Sequence, residues 1–176
     1  MAKELSGAKV YVMKGDEEVV RTGGLGDFHY TMRWQPSPVD KVLHDGEEVK
    51  LGGSTLVARL TPGHTRGNTT WTMAVTEDGR RYDVVIVGSP FANPDFRLVN
   101  NRKYPEIVDD YEKSFRLLKA LHCDVFLGPH SGYYKLAEKY KRIGGKDNPF
   151  IDPAGYHAFI EERERVFHEQ LAEQKQ

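Results

Sequence analysis

The sequence predicts one domain of 176 residues that joins a β-meander to a helical second half. Three observations carry that prediction. The length suits one domain of ordinary size, and 39% hydrophobic with 29% charged residues describes a globular chain with enough apolar side chains for a sizeable core. Between residues 9 and 87, runs rich in Val, Thr, Tyr and Ile alternate with glycine-bearing turns, as strands do. From Pro105 onward the apolar spacing changes to that of helices.

Taken in order, Met1 to Leu5 favours a helix ended by Ser6-Gly7, yet that helix has no N-cap and lasts barely a turn. So short a helix is not self-supporting, and the chain is expected to open on the tail of an element. Residues 9–13 follow as a strand, and Asp16 is placed to cap a short helix through Arg21 that Gly23-Gly24 closes. Residues 25–40 make a long loop bearing aromatics and prolines, a kind that is usually functional or disordered. Residues 49–51, 55–60, 69–75 and 82–87 read as strands of an antiparallel-looking meander, split by Gly52-Gly53, by residues 61–68 and by Asp78-Gly79.

In the second half, Ile107, Tyr111, Phe115, Leu118 and Leu121 fall at helical spacing, with Pro105 suited to a first turn. Residues 124–127 form a short apolar strand stopped by Gly128-Pro129-His130. A second helix is expected over residues 133–143, ended by Gly144-Gly145, and Asp152 opens a third that runs almost to the C-terminus. Along that third helix Tyr156, Ile160, Phe167 and Leu171 make a packing stripe, while His157, Glu161, Glu164 and His168 make a solvated opposite face.

Charge and composition exclude several partners. Twenty-five Lys and Arg against 26 Asp and Glu give a net charge of −1 without a basic tract, so no nucleic-acid partner is expected. No apolar run approaches a membrane span, and Met1-Ala2-Lys3-Glu4-Leu5-Ser6 is not a signal segment, so no membrane association is expected. The lone Cys123, between His122 and Asp124, reads as a small buried apolar residue.

Two histidines lie on loops directly after expected strands, each beside glycine and proline. His64 sits in Leu60-Thr61-Pro62-Gly63-His64-Thr65-Arg66-Gly67, and His130 in Leu127-Gly128-Pro129-His130-Ser131-Gly132. Proline fixes the approach and glycine permits the tight turn, so each loop suits an imidazole held in one orientation, as a zinc ligand requires. Taken alone, each equally suits a capping or satisfied polar residue. Two imidazoles also fall short of the roughly three or four protein ligands that zinc takes, and no HxH, HxxH or CxxC completes the set.

The strings are more specific than the residue types. Thr61-Pro62-Gly63-His64-Thr65-x-Gly67, followed by Thr70-Trp71 and later by Gly128-Pro129-His130, resembles the histidine loops of the metallo-β-lactamase superfamily. After Val84-Val85-Ile86-Val87-Gly88 most of that superfamily carries a metal-bridging aspartate, and the first β-lactamase subclass a cysteine; this chain has Ser89. That serine, with Leu98-Val99-Asn100-Asn101, Tyr104-Pro105, Asp110-Tyr111, Cys123-Asp124-Val125 and Asn148-Pro149-Phe150, is similar to subclass B3, and the match runs through essentially all 176 residues.

The resemblance implies an α/β fold, the metallo-β-lactamase αββα sandwich of two mixed sheets with helices outside. It matches His64 to the third histidine of the first zinc site and His130 to the last histidine of the second. The family's other four ligands come from a His-x-His-x-Asp-His motif that this sequence does not contain. With the uncapped opening helix, that absence makes the chain the expected C-terminal portion, roughly two-thirds, of the family's domain, incomplete at the N-terminus.

In an intact relative two zinc ions would generate a metal-bound hydroxide that hydrolyses β-lactam antibiotics without a serine acyl-enzyme. Ser89 is therefore no nucleophile. It either hydrogen-bonds near the second metal or is a strand-end hydroxyl bonded to backbone. Phe28, Tyr30 and Trp34 crowd a loop that in the family rims the groove, as an aromatic floor for substrate or as cover for exposed sheet. The other five histidines, His29, His44, His122, His157 and His168, match no ligand; His122 reads as a cation at a helix end. For this chain alone the expectations are weak zinc binding, little or no activity and self-association through uncovered sheet. The alternatives are a lactone- or thioester-cleaving hydrolase, which Ser89 disfavours, and a non-catalytic truncated product. A periplasmic or secreted location is expected of the full-length family member.

Overall fold

The computed structural model describes residues 2–30 and 32–176; Met1, where the expected opening helix begins, and Thr31, within the long loop, lie outside them. α1 (Ala2–Ser6) ends as expected, the Gly7 N–H closing on the Lys3 carbonyl at 2.8 Å. β1 (Tyr11–Met13) pairs in parallel with β2 (Lys41–Leu43), a strand the sequence pattern does not reveal because three residues are too few to show alternation. The Asp40 carboxylate accepts the Val10 N–H at 2.7 Å and pairs with Lys3, pinning this small sheet to the start of the chain. α2 (Glu17–Thr22) lies between them and is closed by Gly23.

The expected meander is present and longer at its turns: β3 (Glu48–Leu51), β4 (Ser54–Leu60), β5 (Thr69–Glu77) and β6 (Arg80–Ile86) pair antiparallel in sequence order. α3 (Ile107–Ala120) then carries the chain across, so β7 (Val125–Leu127) joins β6 in parallel, with Val85 opposite Phe126. β4, β6 and β7 therefore run in the same direction, and their C-terminal ends meet at one edge of the sheet. That edge carries the residues 61–68, 87–96 and 128–135.

One face of the sheet is covered by helices. Val85, Val87 and Phe126 pack on Ile107, Tyr111, Phe115 and Leu118 of α3, and on α5 (Pro153–Gln174) through its expected stripe, Tyr156, Ile160, Phe167 and Leu171, all four buried. On the other face Met13 and Leu43 from the β1–β2 sheet close over Ala58, with Val49, Leu60 and Trp71 around them. The layers are thus small sheet, large sheet and helices, a mixed α/β arrangement. No helix among the described residues is long and apolar enough to cross a membrane.

Three local expectations are corrected, and a fourth gains a partner. The helix expected over 133–143 shrinks to α4 (Leu136–Tyr140), because residues 130–136 fold as turns, with Tyr133 N–H on the His130 carbonyl and Lys135 at φ 54°. Asp16 is the N-cap of α2, but its side chain makes no capping hydrogen bond. The polar face of α5 is not merely solvated, since Glu164 pairs with Lys119 at 2.7 Å and His168 with Glu112 at 2.9 Å, tying α5 to α3. His122 does follow the end of α3, and its Nδ1 lies 3.1 Å from Asp83 Oδ2 on β6, a partner that the sequence does not reveal.

Candidate metal centre

His64 lies on the loop after β4, half-buried, and the loop is tied at its base. The Thr61 N–H donates to the Asn68 carbonyl at 2.9 Å, and the Asn68 amide donates back to the Thr61 carbonyl at 2.6 Å. Beneath it the Ser114 hydroxyl of α3 donates to the Pro62 carbonyl at 2.6 Å. The imidazole Nδ1 lies 2.8 Å from the Phe91 carbonyl oxygen. A carbonyl only accepts, so Nδ1 carries the proton and Nε2 keeps its lone pair free. Burial lowers the pKa of this imidazole, outweighing the Phe91 carbonyl and Asp16, which favour the charged form; the nearby charge of His130 lowers it further. His64 is thus neutral at pH 7, the form that ligates metal.

The Phe91 carbonyl also accepts the Tyr111 hydroxyl at 2.6 Å, so one oxygen orients two side chains. The Phe91 ring stacks on Tyr133 at 5.0 Å between centroids, and Tyr133 in turn sits 5.1 Å from the His130 ring. Ser89, on the loop after β6, offers its hydroxyl to the Tyr133 hydroxyl at 3.4 Å, while its N–H donates to Asn68 Oδ1 at 2.9 Å. His64, Ser89 and His130 are therefore joined by an unbroken set of contacts through Phe91, Tyr133 and Asn68. Parallel β4, β6 and β7 bring them to one sheet edge although 66 residues separate the two histidines (130 − 64).

The aromatic residues of the long loop divide. Phe28 is buried at 9% exposure against Phe96 and Tyr104, whereas Tyr30 and Trp34 keep 45% and 44% of their surface. Tyr30 receives the Asn93 amide on its hydroxyl at 2.6 Å and, with Gly24, Gly26, Asp27, Arg33 and Lys103, lines a cavity of about 400 Å³. A larger groove of about 730 Å³ runs over the helix side of the sheet beside Arg59, Asp83 and His122 and includes none of His64, Ser89 and His130. Size alone points away from the histidine loops; the directed hydrogen bonds at His64 are the better guide to chemistry.

Imidazole nitrogen is a donor type that zinc accepts, and the Nδ1 bond to Phe91 is the outer support that fixes a ligating histidine. The pair fits zinc in kind and falls short in number. Among the described residues, three His, Cys, Asp or Glu donors come within 4.8 Å of one another at Asp83, His122 and Asp124. That group could hold an ion, but it lies six residues before Ser89 on one strand and six before His130 on the other, roughly 20 Å along the sheet. The sequence reading missed it because its members are brought together by the β6–β7 pairing: the Asp83 N–H donates to Asp124 Oδ2 and the Asp124 N–H to the Asp83 carbonyl, each at 2.8 Å.

No family model matches the sequence. Solved structures do. The native FEZ-1 metallo-β-lactamase from Legionella gormanii superposes with a TM-score of 0.95 at 46% identity, covering 98% of this chain and 68% of that one. BJP-1, a subclass B3 metallo-β-lactamase of Bradyrhizobium japonicum, matches at 0.90 and 33%, covering 98% and 66%. The class B3 di-zinc enzyme LRA-12 from an Alaskan soil metagenome matches at 0.88 and 26%, covering 96% and 66%. With two sheets face to face and helices outside the larger one, the histidine loops at one sheet edge and this degree of identity over two-thirds of a relative's length, the chain belongs to the metallo-β-lactamase family, among its subclass B3 members.

Proposed function

We propose that this chain is the part of a zinc-dependent β-lactam hydrolase that carries one histidine of each metal site, His64 of the first and His130 of the second. The observation that carries the reading is the His64 imidazole, neutral, bonded through Nδ1–H to Phe91, with Nε2 free at the edge where His130 also arrives. Zinc held there supplies a Lewis acid for the amide carbonyl and lowers the pKa of water. The chain's own residues orient and exclude. Phe91 and Tyr133 keep the two imidazoles in place, and the exposed rings of Tyr30 and Trp34 offer apolar surface to a substrate, with Phe28 anchoring their loop from within the core. Ser89 is not a nucleophile, because the partner of its hydroxyl is Tyr133, whose own pKa burial raises, and no base reaches it among the described residues. Its place beside His130 and Tyr133 suits a hydrogen bond near the second metal.

With two imidazoles and, among the described residues, no third His, Cys, Asp or Glu donor grouped with them, the chain alone binds zinc weakly and hydrolyses little. Its apolar sheet face, which β1 and β2 cover only in part, favours self-association. The reading also makes the complete protein a periplasmic or secreted one. The test compares zinc content and hydrolysis of a chromogenic cephalosporin for this chain and for the chain joined to a His-x-His-x-Asp-His segment from a full-length relative. The joined protein should bind about two zinc ions and turn over, and His64→Ala or His130→Ala should abolish turnover. Stoichiometric zinc without hydrolysis, or hydrolysis indifferent to both substitutions, would overturn the proposal.

A further inference from the structure

We propose that Asp16 is a positioning residue for His64, holding from outside the loop that aims the imidazole; this rests on the reading of His64 as a metal ligand. A carboxylate at a helix N-cap ordinarily accepts an N–H of the first turn. Asp16 forgoes that bond. Both of its oxygens are turned instead to residues 49 and 51 positions further on: Oδ2 accepts the Thr65 hydroxyl at 2.5 Å and Oδ1 the Gly67 N–H at 2.8 Å. Those two residues flank the tip of the His64 loop.

The contact is transmitted to His64 through one intermediate. Thr65, held by Asp16, offers its carbonyl to the Gly63 N–H at 2.9 Å, so the carboxylate is linked through Thr65 to the Pro62–Gly63 peptide, one residue before His64. The approach is close enough to restrict the sequence: a Cβ on Gly67 would stand 2.8 Å from the Asp16 carboxyl carbon. Burial raises the pKa of this carboxyl, against the lowering by Thr65 and Gly67, so the group sits where stability of the helix alone would not put it. Asn68 to Thr61 and Ser114 to Pro62 hold the loop's base; near its tip Asp16 acts beside Arg66, whose guanidinium donates to the Lys103 carbonyl and lies 4.4 Å from the centre of the Tyr104 ring.

The experiment uses the 176-residue chain and reads the His64 ring directly, by imidazole ¹H–¹⁵N correlation spectra with and without zinc chloride. In the parent, the Nδ1–H signal bonded to Phe91 should be sharp and the ring should respond to zinc. Asp16→Asn and Thr65→Val should each shift or broaden that signal and weaken the zinc response about tenfold, the size of effect seen when support around a metal ligand is lost. Thr65→Ser, which keeps the hydroxyl, should restore parent behaviour. Asp152→Ala, at the distant cap of α5, should lower the melting temperature without moving the His64 signal, separating positioning from stability. If Asp16→Asn does not fold, Thr65→Val carries the test. Parent-like spectra and zinc response in Asp16→Asn and Thr65→Val would overturn the proposal. A parent whose His64 ring ignores zinc would instead overturn the ligand assignment, and Asp16 would then be judged on the Nδ1–H signal alone.

Discussion

Gly63→Ala is the substitution most sharply constrained by the structure. Gly63 is buried at φ 132°, a region that side chains rarely adopt, and forcing alanine there costs about 1–3 kcal/mol. The added methyl would also stand 2.8 Å from the Tyr111 ring, well inside the roughly 3.5–4.0 Å of carbon contacts. The ring has nowhere to go. It is 1% exposed, and its hydroxyl is held at 2.6 Å by the Phe91 carbonyl, so relieving the overlap costs about 1–3 kcal/mol more. Together these remove about 2–6 kcal/mol from a stability of typically about 5–15, a fall in melting temperature on the order of 10 °C for a chain of this length. Urea unfolding followed by circular dichroism measures it. Repeating the change in a Tyr111→Leu background separates the two causes, because removing the ring should recover about 1–3 kcal/mol of the loss while the backbone strain remains. A Gly63→Ala variant within about 0.5 kcal/mol of the parent, or strictly additive double-mutant energies, would refute the reasoning.

Three further outcomes follow from the packing. Phe115 is fully buried between the sheet and α5, so Phe115→Ala should cost about 3–5 kcal/mol in urea titration. Burial pushes the Cys123 thiol up to about 12, so iodoacetamide at pH 8 should label it only after unfolding, read by mass spectrometry. Lys139 is buried with its ammonium 2.8 Å from Asp152 Oδ2, as an ion pair whose N–H groups are poorly aimed at the oxygen. For Asp152, burial raises the pKa but the Lys139 ammonium and the Gly155 N–H outweigh it, so the folded value lies below the unfolded one, about 3.9. The contribution is therefore present above that value and lost as pH falls through the folded pKa; Asp152→Asn should cost about 1–3 kcal/mol at pH 7, and its melting-temperature gap from the parent should close toward pH 2.

Much of this protein follows from local pattern. The meander, the α3 face and the Tyr156, Ile160, Phe167, Leu171 stripe were legible because alternation and helical spacing are properties of short segments. His64 and His130 stood out for a related reason, since the glycine and proline around each imidazole are adjacent in sequence, and the family resemblance rests on such adjacent strings. What tertiary structure alone decided depends on partners far along the chain. β2 exists because β1 is there to pair with it, and the expected helix after His130 gives way to turns. Asp16 reads as an ordinary helix cap until Thr65 and Gly67 arrive to take its oxygens, and Phe28 reads as a rim aromatic until Phe96 and Tyr104 enclose it. His122 joins Asp83 and Asp124 only through the pairing of β6 with β7. Backbone propensity acts over a few residues, whereas a side chain's hydrogen bonds go to whichever groups folding brings near, and for Asp16 those lie 49 and 51 residues away.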